Sequence, residues 1–137
     1  MTGNLQKKMS DNFTPYAIIM GDYADEEAIK RYGEELPGGK RDAFRHLVWQ
    51  ANLQRNYPSI AKMLGDLHES RYFPVLGGRG QGEAERQMDL FNNELGRRIA
   101  DQAKSEEDVY RIAEEMIRQE KAKILPIDQV QMEYKYK

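Results

Sequence analysis

Cysteine is absent from the chain, which excludes disulfides and thiolate metal ligands alike. Histidine is scarce, with two copies, and tryptophan occurs once. No apolar run approaches the roughly 20 residues of a membrane span. The apolar cluster nearest the start (Ala17, Ile18, Ile19, Met20) is too short for the core of a secretion signal. Excess positive charge is missing too. Lys and Arg number 21 against 23 acids, a net charge of −2, so bulk charge gives nucleic-acid binding no support. The glycines lack the spacing of a phosphate-binding or dinucleotide-binding loop. With no recognisable signal peptide the default expectation is a cytoplasmic location. A virion, injected or secreted location is the alternative, because such proteins travel without a cleaved signal.

What remains is a chain of 137 residues, 39% apolar and 32% charged, with four Phe and eight Tyr. That suits one globular domain with a single core and a heavily solvated surface. The periodicity predicts an all-α fold, a compact bundle of about five helices. Residues 1–12 are polar and aperiodic and read as a flexible leader, 13–125 as a single helical domain, and 126–137 as a C-terminal arm.

Residues 13–20 suit a short helix with Pro15 in its first turn, the preferred reading, or a short strand given Tyr16, Ile18 and Ile19. A helix from near Asp25 to Leu36 uses Ala28, Ile29 and Tyr32 as contacts, and Pro37, Gly38 and Gly39 end it. Residues 40–57 carry two stripes at spacings of three and four. Phe44, Leu47, Val48 and Ala51 form one, and Asp42, Arg45, His46, Trp49 and Leu53 form the other, nearly half a turn away. A Trp and a Leu on the polar side predict that both sides are covered, so this is the expected central helix.

Residues 58–72 predict a helix with Ile60, Met63, Leu64 and Leu67 inward, and with Ala61 and Gly65 leaving room for a close neighbour. A Gly-rich loop at 75–82, between the third and fourth helices, reads as a flap. Residues 83–104 predict the longest helix, with Met88, Phe91, Leu95 and Ile99 as its core stripe. Asp89, Asn92, Asn93 and Gly96 flank that stripe. Asparagine and glycine are poor helix-interior residues, so these positions need polar partners and a close approach. Ser105 with Asp108 predicts the N-cap of a last helix to about Ile124, packed through Val109, Ile112, Ala113, Met116 and Ile117.

Three polar clusters interrupt these helices: Asp42–Arg45–His46, His68–Glu69, and Asp89–Asn92–Asn93. They are expected to meet in one site. His46, His68, Asp89 and Asp42 are the candidate metal ligands, since two imidazoles with one or two carboxylates suit zinc, manganese or iron when water completes the shell. Glu69, Arg45, Asn93 and Asn92 are the candidate catalytic groups: a general base, an anion-binding fork, and amides for a carbonyl or a second shell. The expected function is a hydrolase-like site, possible with or without a divalent metal, acting on an ester, amide or phosphodiester in cell-wall, lipid or nucleotide material. The alternative is a non-catalytic phage or virion protein, in which the same residues form a buried polar network and the termini join protein partners. Each residue also has an ordinary explanation: a satisfied core histidine, a helix cap at Asp42, packing at Trp49.

The layout of a His on one helix, a His–acid pair on the next and an Asp on a later one resembles that of helical HD-type phosphohydrolases, with Glu69 standing where they have Asp. The composite DAFRHLVW, HE and MDLFNNELGR, spanning Asp42 to Arg97, resembles a largely uncharacterised family of small helical bacterial and phage-related domains, some at the ends of secreted or toxin-like proteins. That resemblance implies that the eight named polar residues share one site; it implies no activity.

Overall fold

In a computed structural model, the protein is described over residues 3–33, 39–69 and 82–125, with side chains from Tyr16 onward. These residues form five helices and no strand: α1 (Gly3–Tyr32), α2 (Lys40–Asn56), α3 (Pro58–His68), α4 (Glu83–Ile99) and α5 (Glu106–Arg118). The all-α expectation holds. The Gly-rich flap, apart from Gly82, and the C-terminal arm lie outside the described residues.

Helix α2 is the hub and packs against all four others. Its apolar stripe, Phe44, Leu47, Val48 and Ala51, meets Ala24 and Ala28 of α1, Ile99 of α4, and Val109, Ala113 and Ile117 of α5. Full burial of Phe44 and Leu47 contributes roughly 1.5–3 kcal/mol each. Leu53, on its other side, packs with Ala17 and Ala61 in a second cluster that Trp49 also joins. Both sides of α2 are therefore covered, as its two stripes require.

Several boundaries differ from expectation. The segment expected to be a loose leader is helical from Gly3, and the two helices expected between residues 13 and 36 are one. Residues such as Leu5, Gln6, Lys7, Lys8 and Met9 have good helix propensity, so the packed part of α1 propagates backward without an apolar stripe. Pro15 sits inside this helix instead of opening it. The helix stops at Gly33, ahead of Pro37. Gly33 takes φ 70 and donates its N–H to the Ile29 carbonyl at 2.8 Å, the left-handed cap that glycine favours.

Helix α3 buries Ala61 and Gly65, while Met63 is 48% exposed and Ile60, Leu64 and Leu67 are half-buried. The small residues form its contact face because α3 lies close against α2: a Cβ on Gly65 would stand 3.0 Å from the Gln50 amide. In α4 the expected apolar stripe holds at Met88 and Ile99, with Leu95 partly buried against the core, but fails at Phe91, and the buried face extends onto the polar flank. Phe91 is exposed, under the Lys123 ammonium at 4.4 Å, and the buried face is Glu85, Met88, Asp89, Asn92, Asn93, Gly96 and Ile99. Gly96 explains the extension. A Cβ there would meet the Leu47 carbonyl oxygen at 2.6 Å, so only glycine lets α2 lie on the polar flank of α4.

Helix α5 starts as expected. Ser105 Oγ accepts from the Asp108 N–H at 3.1 Å, and Asp108 Oδ2 accepts from the Lys104 N–H at 2.9 Å. It ends six residues before Ile124, at Arg118. Glu120 takes φ 59, its N–H reaches the Ile117 carbonyl, and the Lys121 N–H reaches the Met116 carbonyl. This is a Schellman turn with a glutamate in the glycine position.

Candidate metal centre

The coupling of α2 to α4 sets the site. Asp42 and His46 stand one turn apart on α2, and Asp89 and Asn93 one turn apart on α4. Asp42 opens no helix as a cap, because Gly39 holds the N-cap position without a side-chain bond. Its carboxylate instead accepts from Arg45 Nη2 at 2.8 Å. His46 Nε2 lies 3.2 Å from Asp89 Oδ1 and 3.5 Å from Asp42 Oδ1. On the other edge of the ring, Nδ1 is 2.8 Å from Asn93 Oδ1. An amide oxygen accepts, so Nδ1 carries a proton and donates. In neutral imidazole that leaves the Nε2 lone pair facing two carboxylate oxygens.

Arg45 Nη2 meets the Asp42 oxygen and lies 3.4 Å from Nε2, and the lone pairs that still face each other, on Nε2 and Asp89 Oδ1, call for a proton or a metal between them. Burial makes the demand sharper: Asp42, His46 and Asp89 are 7%, 2% and 3% exposed. At Asp42 burial favours the neutral acid, but His46 and Arg45 outweigh it and hold the carboxyl well below its ordinary range. At His46 burial favours the neutral ring, but Asp89 and Asp42 outweigh it and push the imidazole up to about 9. At Asp89 burial, with Asp42 and Glu69 adding to it against His46, pushes the carboxyl up to about 9. In the metal-free protein the His46–Asp89 pair thus keeps a proton well above neutral pH.

The trio also fits a metal. One ligand atom from each of Asp42, His46 and Asp89 lies within 4.8 Å of the other two. A tetrahedral zinc site with bonds of about 2.0–2.2 Å has ligand–ligand edges of roughly 3.3–3.6 Å. The two edges at Nε2, 3.2 and 3.5 Å, match that spacing. Apart from the His46 ring nitrogen, the buried Asp89 Oδ1 has no hydrogen-bond partner among the described residues, so it has lone pairs to offer a cation. Three protein ligands leave a position for water, and Asn93 supplies the outer hydrogen bond that orients a ligating imidazole.

The remaining expected residues divide. Glu69 is fully buried, with Oε1 3.8 Å from His46 Nδ1 and 3.8 Å from His68 Nε2. Its backbone carbonyl accepts from Arg86 Nε at 3.2 Å, which ties the end of α3 to the start of α4. His68 comes near without joining the trio. Its ring centroid is 5.9 Å from that of His46 and 5.2 Å from the Trp49 ring, at a half-exposed edge. Trp49 packs there and donates from Nε1 to the Ala17 carbonyl at 2.9 Å. Asn92 faces elsewhere: its amide donates to the Lys123 carbonyl and accepts from the Lys123 N–H, both at 2.9 Å. It pins the segment after α5 instead of serving the centre.

Three further polar residues are buried, Gln50, Asn52 and Glu85, and the first and last of them stand beside the expected ones. Gln50 stands one turn beyond His46, wedged between Gly65 and Gly96, with Oε1 accepting from Arg97 Nη1 and Nε2 without a hydrogen bond. Glu85 stands one turn before Asp89 and is 5% exposed. In each case the spacing of four from a flagged residue was the available signal, and the polar type disguised it as surface.

Residues 13–123 match the family described as a domain of unknown function, DUF6973. The chain belongs to this family. No curated protein and no solved structure matches it. DUF6973 membership therefore carries no chemistry, and the function of the domain rests on the geometry of the α2–α4 centre. No helix among the described residues is long and apolar enough to cross a membrane.

Proposed function

We propose that this DUF6973 domain is a metal-dependent hydrolase whose divalent cation, zinc or manganese, is held by Asp42, His46 and Asp89. One observation carries the reading: a buried imidazole nitrogen and two buried carboxylate oxygens converge at 3.2 and 3.5 Å, with the imidazole oriented by Asn93. A bound cation of this kind polarises a substrate oxygen and makes water nucleophilic near neutral pH. Asn93 keeps Nε2 of His46 aimed at the site. Arg45 steadies Asp42 and stands beside the reacting groups as a donor. Glu69, buried in contact with Asp89, is the group to accept a proton from water and return it to the leaving atom. His68 lies at the rim, within reach of an incoming group. The bacterial, phage or toxin setting suggested by the DAFRHLVW–HE–MDLFNNELGR pattern belongs to the same proposal.

The burial of the trio supports a second reading, a non-catalytic network that fixes the crossing of α2 on α4. Hydrolysis assays separate the two. Protein supplied with zinc or manganese is tested on chromogenic carboxylic esters, amides and phosphodiesters. The hydrolase reading expects turnover of one class, abolished in His46→Ala and Asp89→Asn with helicity retained. Absence of turnover on all three classes, or equal turnover in the variants, favours the network.

A further inference from the structure

We infer that α3 is a dimerisation surface, which pairs antiparallel with α3 of a second copy of this chain; the inference is independent of the metal reading. Helix α3 seats on α2 through Ala61 and Gly65, the two residues it buries. Its four large apolar residues, Ile60, Met63, Leu64 and Leu67, recur at spacings of three and four, off that contact face. Leu64 turns toward the cluster of Ala17, Leu53 and Ala61. Ile60, Met63 and Leu67 make the outer edge, where Met63 is 48% exposed and the other two are half-buried. An amphipathic helix normally turns such a stripe inward. Here the close seat of Gly65 on Gln50 takes the inner side, and the stripe is left facing outward.

This edge is complementary to itself. Two α3 helices crossing antiparallel about a two-fold axis beside Met63 set Ile60 of each copy against Leu67 of the partner subunit, with the two methionines meeting at the axis. The charged flank decides the choice of partner. Lys62 and Asp66 stand along one side of the stripe, 71% and 47% exposed, and bridge each other at 2.6 Å within the helix. The antiparallel crossing brings each Lys62 beside Asp66 of the partner subunit, so opposite charges meet across the axis. Helix α1 carries another exposed apolar group, Ile18, Ile19 and Tyr23, but its neighbours are Asp22, Asp25, Glu26 and Glu27. Self-pairing there would set acid against acid. The α3 patch is small, so the expected dissociation constant is on the order of 10 μM. Glu69 follows α3 directly, so the second copy braces the helix that delivers Glu69 to the α2–α4 centre.

The test is sedimentation equilibrium of the whole chain from about 1 to 200 μM. The inference expects reversible formation of a species of twice the 16.0 kDa monomer mass. Met63→Glu, at a position exposed in the single chain, should keep the helical circular-dichroism signal and weaken association at least about tenfold. Asp66→Lys sets lysine beside lysine across the axis and should weaken association several-fold. Adding Lys62→Asp to it returns the opposite pairing and should restore the dimer. A monomer throughout the range overturns the inference and leaves the stripe to a different protein. A dimer that survives both Met63→Glu and Asp66→Lys overturns it too, because the copies then meet elsewhere.

Discussion

His46 Nδ1 and Asn93 Oδ1 are 2.8 Å apart across the α2–α4 interface, and that contact decides which nitrogen of the ring meets the two aspartates. Asn93→Ala leaves a buried imidazole N–H without its acceptor. Urea melts are expected to show a loss of about 1–3 kcal/mol. Metal affinity is expected to fall by roughly 10–100-fold, the usual effect of removing an outer-shell partner. Full metal affinity in a folded Asn93→Ala protein would contradict the orienting role.

Asn92 predicts the opposite pattern. Asn92→Ala releases the backbone of Lys123 from both hydrogen bonds, and leaving that N–H and carbonyl without partners costs about 1–3 kcal/mol. Amide exchange of Lys123 should accelerate, and metal binding should be unchanged. A loss of metal with no change at Lys123 would overturn the assignment.

These neighbours show what sequence can and cannot reveal here. Two asparagines in mid-helix announce that partners exist, and the Asp42–His46 and Asp89–Asn93 spacings put each pair on one face. Which asparagine meets which partner depends on where the chain returns after α5, and no local pattern records that. The two stripes of α2 were legible because both are long and regular. The buried face of α3 was not, and that of α4 only in part, because Gly65 and Gly96 allow an approach so close that small and polar residues enter the contact. Residue type alone pairs His68 with His46, and only the turn at the end of α3 sets it at the rim.

The two glycines should respond differently to alanine. Gly96→Ala drives a methyl to 2.6 Å from the Leu47 carbonyl oxygen, a backbone atom that cannot rotate away. The expected net loss is roughly 1–3 kcal/mol, after a helix-propensity gain of about 1 kcal/mol. Gly65→Ala meets the end of the Gln50 side chain at 3.0 Å, which can shift, so its cost is smaller. Equal thermal stabilities for the two variants would contradict the packing described for α4.

Glu120 invites a stabilising change. It is exposed and holds φ 59 in the Schellman turn after α5. Glu120→Gly relieves the left-handed strain of a side-chain-bearing residue and should raise stability by roughly 0.5–1 kcal/mol. Denaturant midpoints measure this, and an unchanged or lower midpoint counts against it.

The metal-free protein should lose stability as pH rises toward 9. Folding raises the pKa of His46 from 6.5 to about 9, so its contribution is complete below 6.5 and disappears through 9. Asp89 is raised as the partner of His46 in that pair, so the two titrate as one step and its shift is not a second contribution. Asp42 is shifted the other way, so its contribution is present above 3.8 and is lost only in acid. Chelator-treated protein should therefore show a falling urea midpoint between pH 6.5 and 9, and Asp89→Asn should flatten it. A flat wild-type profile would contradict the shared proton.

Calorimetric titration of chelator-treated protein with zinc or manganese, with elemental analysis of the product, tests the centre most directly. One ion per chain is expected, with a raised melting temperature, and both effects should vanish in His46→Ala and Asp89→Asn while His68→Ala retains them. No bound ion, or the same binding in all of these proteins, would contradict a metal held by Asp42, His46 and Asp89.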